Sequence, residues 1–180
     1  MSNKKNLTRL VFSALFLALA MILPFFTGQI PEIGAMLCPM HIPVILCGFV
    51  CSWKWGLAVG FTAPILRSVI MNGMPPMFPT AVCMAFELAV YGLVSGIMYR
   101  ILPKKKLYIY VSLIAAMLAG RIVWGIAMFT CMGIKGSAFG FGAFMAGAFT
   151  NALPGIIVQL VLIPVVVMML QKTKVMKTEK

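Results

Sequence analysis

The stretch Met40-His41-Ile42-Pro43-Val44-Ile45-Leu46-Cys47-Gly48-Phe49-Val50-Cys51-Ser52-Trp53-Lys54-Trp55 decides how this chain folds. It joins an apolar run at 40–53 to another at 55–72, with only Trp53-Lys54-Trp55 between them and with Pro43 and Pro64 interrupting them. Read as two helices, it gives six spans near 8–26, 40–53, 55–72, 79–101, 107–131 and 143–170; read as one re-entrant element, it gives one fewer. Basic residues separate the two readings, because Lys and Arg collect on the cytoplasmic side of a membrane protein. With six spans, Lys4, Lys5, Arg9, Lys54, Arg100, Lys104, Lys105, Lys106, Lys172, Lys174, Lys177 and Lys180 fall on one side and Lys135 alone on the other. Merging the two short runs would put the 100–106 cluster and the C-terminal lysines on opposite sides. The expected architecture is an all-α integral membrane protein: one transmembrane domain over 1–180, six transmembrane helices, and N- and C-termini both cytoplasmic.

Composition points the same way. The chain is 62% hydrophobic over 180 residues, with a mean hydropathy of +1.05, and so has too little polar surface for a water-soluble globule. Its acidic residues are Glu32, Glu87 and Glu179, there is no Asp, and fifteen Lys plus Arg give a net charge of +12. In a soluble protein that balance would suggest nucleic acid; here the cations sit between apolar runs, where they orient helices, and no nucleic-acid partner is expected. The run from Leu10 to Phe26 is too long for a signal-peptide core and no A-x-A site follows it, so it is kept as the first span, with Met1 as the expected start. Cys38, Cys47, Cys51, Cys83 and Cys131 form no CxxC pair, and no metal site is expected. A Cys38–Cys131 disulfide requires two outer loops to meet. No GxxxxGK[ST] loop occurs, so the chain carries no nucleotide-hydrolysis motif of that kind.

Charges inside a bilayer cost about 2.5–3.5 kcal/mol each on insertion scales and therefore point to function. With the orientation above, Arg67, Glu87 and Arg121 all fall in the outer half of the membrane, and His41 opens the second span at the same depth. Thr80, Cys83, Glu87 and Tyr91 share one helical face, and Trp124 stands one turn from Arg121. On the sixth span Gly147, Asn151, Gly155 and Gln159 recur every fourth residue, a pattern that serves close helix packing or, through Asn151, substrate contact. Glu87 is expected to pair with one arginine. Arg67 is the expected partner, leaving the fork of Arg121, beside Trp124, for a ligand anion. His41 either caps its helix or touches ligand. The loops 27–39, 72–79 (which begins at Asn72) and 133–144, rich in Gly, Pro and apolar residues, read as lids over a captured ligand or as segments resting in headgroups.

These residues resemble a known family. Six short helices, basic cytoplasmic termini, Met40-His41-Ile42-Pro43-Val44 opening the second helix, and Gly73-Met74-Pro75-Pro76-Met77 ahead of Ala85-Phe86-Glu87-Leu88 look like the S-components of energy-coupling factor (ECF) transporters, along essentially the whole chain. The resemblance implies a vitamin or related cofactor as ligand, held in an outward-facing pocket in a prokaryotic cell membrane. It also implies an ECF module as partner, consisting of a transmembrane T-component and two ATPases, docked through an Ala-x-x-x-Ala pattern on the first helix that Ala14 and Ala18 match. The Met-His-Ile-Pro and Met-Pro-Pro segments are most similar to the pantothenate-, pyridoxine- and cobalamin-type group. Arg67, Arg121 and Lys135 favour an anionic ligand such as pantothenate. Two alternatives stay open: haem, using the arginines for propionates and His41 with Met40 near the iron, and a small membrane transferase using Glu87 and His41.

Overall fold

The computed structural model describes residues 2–27, 36–103, 105–137 and 140–172. Glu32, Lys104, Lys174, Lys177, Lys180 and most of the first expected lid lie outside the described residues. What is described is helical: α1 (Ser2–Ile22), α2 (His41–Cys51), α3 (Trp53–Ile70), α4 (Val82–Ile101), α5 (Lys106–Ile134), α6 (Phe141–Met145) and α7 (Leu153–Lys172). The stretches Lys5–Phe26, Met77–Ile101, Lys106–Ile134 and Phe141–Lys172 are long and apolar enough to cross a membrane, and His41–Cys51 is a shorter apolar helix.

The chain breaks where its local chemistry requires. Ser52 separates α2 from α3 with φ 108° and ψ 166°, a positive φ that a residue with a Cβ adopts only under constraint, and α3 restarts at once. The doubtful stretch is thus two helices hinged on one residue. At eleven residues α2 is only about 16 Å long, short of a bilayer core of about 30 Å, so the expected span 40–53 is shorter than drawn. At the end of α4, Leu102 is extended (φ −80°, ψ 150°) because Pro103 follows it. The expected span 143–170 falls within the single membrane-capable stretch Phe141–Lys172, in which a wide helical turn at Ala146–Thr150 joins α6 to α7.

Glycines set how the helices pack. Any Cβ on Gly92 would collide with the Gly56 backbone, and one on Gly56 would come within 2.6 Å of the Gly92 carbonyl oxygen and 2.8 Å of the Gly48 Cα. Gly60 likewise lies on the Leu88 carbonyl and Gly96 on Trp53. The pairs 56 with 92, 60 with 88 and 53 with 96 fix α3 and α4 as antiparallel with their backbones touching. Gly48 and Gly56, each four residues from Ser52, close the α2–α3 hairpin. Consequently α2 runs parallel to α4: His41 meets Tyr91, the Ser95 hydroxyl lies 3.4 Å from the Ile45 carbonyl, and Phe49 meets Tyr99.

Nearly every residue of α2 is buried, as expected for a helix apolar all round, because α1, α3, α4 and α7 pack about it. Antiparallel to α4, α5 brings Gly120 against the Tyr91 ring. At the far end of α7, Gln171 donates to the Tyr99 hydroxyl at 2.8 Å. The bundle has a basic end, where Asn6, Arg9, Lys54 and Arg100 border one cavity and α7 finishes, and an opposite end holding the tops of α2 and α4. Outward faces of α5 and α7 are studded with exposed Ile, Leu, Val and Phe, among them Ile122, Ile126, Phe129, Ile157 and Val161.

The glycine contacts are tested by Gly92→Ala, which has no room for its methyl group and should lower stability by about 1–3 kcal/mol. Gly133→Ala, which meets nothing within 4 Å, should leave the melting temperature unchanged or slightly raised, since it removes a helix-weakening glycine. Equal melting curves for the two variants in detergent would show that the helices are not in backbone contact.

Candidate functional site

At the end of the bundle away from the basic residues, the register of α2 with α4 and the antiparallel approach of α5 bring three polar side chains onto one carboxylate. Arg121 Nη1 stands 3.2 Å from Glu87 Oε1, with both side chains buried. The Tyr91 hydroxyl, one turn along α4, donates to the same oxygen at 3.2 Å. His41 Nε2 lies 3.5 Å from it, and the His41 ring meets the Tyr91 ring edge-on at 5.1 Å. The second Arg121 terminal nitrogen, Nη2, points at the Cys38 thiol at 3.8 Å. His41 and Glu87 are 2% exposed and Arg121 6%, so this is an interior polar network and not a surface patch.

The network is incompletely satisfied. Among the described residues, Arg121 Nε and both His41 ring nitrogens are buried without a hydrogen-bond partner, as is Gln159 Nε2 on α7. Buried polar atoms are normally paired, because leaving one unmade costs about 1–3 kcal/mol. Glu87 holds only Nη1, so among the described residues the Nε–Nη2 edge of the guanidinium faces nothing stronger than a thiol. That edge is one of the two faces on which a guanidinium takes a carboxylate through paired hydrogen bonds.

The expected Arg67–Glu87 pair does not form. Arg67 instead donates from Nη1 to the Met21 carbonyl at 3.3 Å and lies over the Phe25 ring, 5.9 Å from its centroid. Met21 is among the last carbonyls of α1, which have no partner inside their own helix, and a guanidinium there also answers the negative end of the helix dipole. The direction in which Arg67 leaves α3 was not legible in the sequence: it faces α1. Arg121 is therefore the residue committed to Glu87, and it keeps one edge spare.

Other expected site residues fall outside the cluster. Trp124 stacks on Phe144 with ring centroids 6.3 Å apart, in an aromatic group that continues to Phe141 and Phe149. Asn151 is exposed, its backbone N–H closing the wide turn onto the Ala146 carbonyl at 2.9 Å. That turn falls between Gly147 and Asn151 and offsets the four-residue spacing there, while Gly155 and Gln159 further along are buried. Asn72, exposed with φ 54°, takes the left-handed position that ends α3, a role Asn tolerates well. Ala14 and Ala18 are both exposed on α1, in a stripe with Val11, Leu15 and Ile22. All five cysteines are buried thiols, and the Cys38–Cys131 disulfide is not formed. Cys38 is the contact that sequence reasoning missed: it was weighed only as a disulfide partner, although its place just ahead of Pro39-Met40-His41 carries it to the top of α2.

A cavity of about 890 Å³ opens at the basic end, and none of the expected site residues lines it. The buried cluster still carries the ligand reading, because its unpaired polar atoms demand partners.

A family model described as ECF transporter, substrate-specific component, matches residues 8–167. The chain belongs to this family. No curated protein matches the chain, and no solved structure does. As an ECF substrate-specific component it is a membrane-integral, transmembrane transport subunit that works with an ECF module, and the family is one of transporter components and not of enzymes.

The ion pair makes a testable claim. Glu87→Leu and Arg121→Leu should each lose about 3–5 kcal/mol of stability by stranding a buried charge, and the double variant should lose far less than the sum. Arg67→Leu should add independently to either. Melting curves of the single and double variants decide it, and additivity of Glu87 with Arg121 would dissolve the pair.

Proposed function

We propose that this chain is the high-affinity substrate-binding subunit of an ECF-type importer in a prokaryotic plasma membrane, with six spans and both termini cytoplasmic, and that its ligand is a carboxylate-bearing micronutrient of the pantothenate type. The carrying observation is the buried Arg121 guanidinium, neutralised by Glu87 at 3.2 Å on one nitrogen and unpaired at Nε. A ligand carboxylate would take the Nε–Nη2 edge and displace the Cys38 thiol. Glu87 meanwhile keeps the charge paired when the site is empty, so the protein tolerates the unliganded state. His41 would then donate or accept at whichever ring nitrogen the ligand reaches, and Arg67 would brace the end of α1 without touching ligand. The commitment of Glu87 Oε1 to Arg121 and Tyr91 disfavours a transferase.

The six-span reading is supported by the alternation of the helices, which places the start of α1, the α2–α3 hinge, the α4–α5 connection and the end of α7 together at the basic end. Positive charge at that end argues for the cytoplasmic side. The polar cluster then faces outward. Docking on the T-component would use the exposed Ala14–Ala18 stripe of α1, where small side chains allow helices to approach closely.

Two experiments test the reading. Arg121→Lys keeps a charge for Glu87 but lacks the fork, and should weaken a carboxylate vitamin by about tenfold or more while changing its neutral alcohol analogue much less; calorimetric titration of both ligands checks this. Equal losses for acid and alcohol would remove the carboxylate assignment. Ala14→Trp should abolish uptake in cells and leave binding by the isolated subunit intact, whereas normal uptake would refute docking through α1.

A further inference from the structure

Gln159 takes no part in the contacts around Glu87, yet it is as deeply buried. The inward face of α7 runs Gly155, Gln159, Ile163 and Val167, and Gln159, 1% exposed, is its polar member. Among the described residues its Nε2 has no hydrogen-bond partner. A carboxamide in an apolar packing stripe weakens the fold, since a methionine of similar volume would fill the same place without stranding a donor. The donor therefore calls for a partner that the packed helices do not supply.

The register of α7 fixes the level of that donor. Gln171 donates to the Tyr99 hydroxyl at 2.8 Å, and Gln159 stands as far before Gln171 on α7 as Glu87 stands before Tyr99 on α4. Both helices run toward the basic end with the same rise per residue, so Gln159 falls at the level of Glu87. The upper contact agrees. Gly155, one turn earlier, lies against the backbone just ahead of α2, where a Cβ would come within 2.5 Å of the Met36 carbonyl oxygen. Moreover, α2 and α5 each pack against both α4 and α7. They form the side walls of one polar layer, with Glu87 and Tyr91 on the α4 side, Gln159 on the α7 side, and His41 and Arg121 between them.

We propose that Gln159 is a second ligand contact and a specificity-determining residue of this site, donating from Nε2 to an uncharged oxygen of the ligand, a hydroxyl or an amide carbonyl, while the ligand carboxylate takes Arg121. The inference rests on the carboxylate reading of the Arg121 edge and adds the class of molecule: a carboxylic acid that also carries a neutral hydrogen-bond acceptor. An amide suits this role because it needs no counter-charge. A purely aliphatic acid would leave the donor stranded, and a site built to hydrogen-bond an oxygen rejects an analogue that lacks it.

Gln159→Met in the full-length protein provides the test, read by the melting curve without ligand and by calorimetric titration of pantothenate and its neutral alcohol analogue. Without ligand the variant should melt at the wild-type temperature or above it, because it loses no hydrogen bond and sheds a stranded donor. Both probes should bind about tenfold more weakly and by the same factor, because the amide meets an uncharged part of each. Arg121→Lys, titrated alongside, should penalise the acid far more than the alcohol. A lower melting temperature for Gln159→Met reveals a structural partner for the amide and overturns the proposal, as does unchanged binding of both probes; in either case the Arg121→Lys contrast still supports the carboxylate. A loss confined to the acid puts Gln159 at the carboxylate and overturns the neutral contact. Equal losses of acid and alcohol in Arg121→Lys remove the carboxylate reading while the Gln159→Met loss keeps Gln159 as a ligand contact, and a wild-type protein that binds neither probe removes both.

Discussion

The contact on which the structure depends is the meeting of α2, α3 and α4 at Gly48, Gly56 and Gly92, where no side chain separates the backbones. In lipid there is little hydrophobic drive to bring helices together, so close approach gains its stability from dispersion and from polar contacts that proximity makes possible. Here proximity brings Ser95 on α4 to the Ile45 carbonyl on α2 at 3.4 Å, and it fixes the parallel register of the two helices at intervals of four residues. His41 thereby falls beside Glu87 and Tyr91. A bulkier residue at any of the three glycines would separate α2 from α4, and the polar cluster above would come apart before any of its own members had been changed.

That cluster resolves a conflict between charge and solvent. A carboxylate 2% exposed is costly without a counter-charge, and Arg121 supplies one at 3.2 Å. A pair alone would be inert. What distinguishes this one is that Tyr91 and Arg121 converge on a single oxygen of Glu87 while the guanidinium keeps Nε unused. Burial strengthens any further bond to that edge, because little water competes for it. The same arithmetic explains Arg67, whose charge is answered by the carbonyl end of α1 and the face of Phe25 instead of by an anion.

Much of this was legible in the sequence. Hydropathy and the distribution of Lys and Arg reveal the helical class and the separateness of the α2 and α3 runs, and the placing of Glu87, Arg121 and His41 at one end of the bundle follows from their positions along their helices. Direction around each helix axis was harder to read. Only the packing of α1 on α3 and of α5 on α4 decides which of Arg67 and Arg121 reaches Glu87. The stripe on the last span is hard to read for a different reason: the wide turn at Ala146–Thr150 slips the helical phase between Gly147 and Asn151, which a count of every fourth residue does not detect. The importance of Cys38 depends on where a loop folds back over α2, and no periodicity encodes that.

The two ends of the bundle are joined by the same rigid elements but differ in how they are finished. At the basic end, helices stop abruptly: Pro103 terminates α4 by forcing Leu102 extended, and Ser52 reverses the chain in one residue. At the polar end both wide turns, Met77–Ala81 and Ala146–Thr150, and the left-handed Asn72 and Gly73 interrupt the backbone. Irregular backbone at membrane depth is tolerated where protein or a cavity can satisfy it, and it costs hydrogen bonds that a continuous helix would keep. Its concentration at one end sets that end apart from the basic end, where the helices stop abruptly. The glycine-locked α2, α3 and α4 hold His41, Glu87 and Tyr91 in place beneath it.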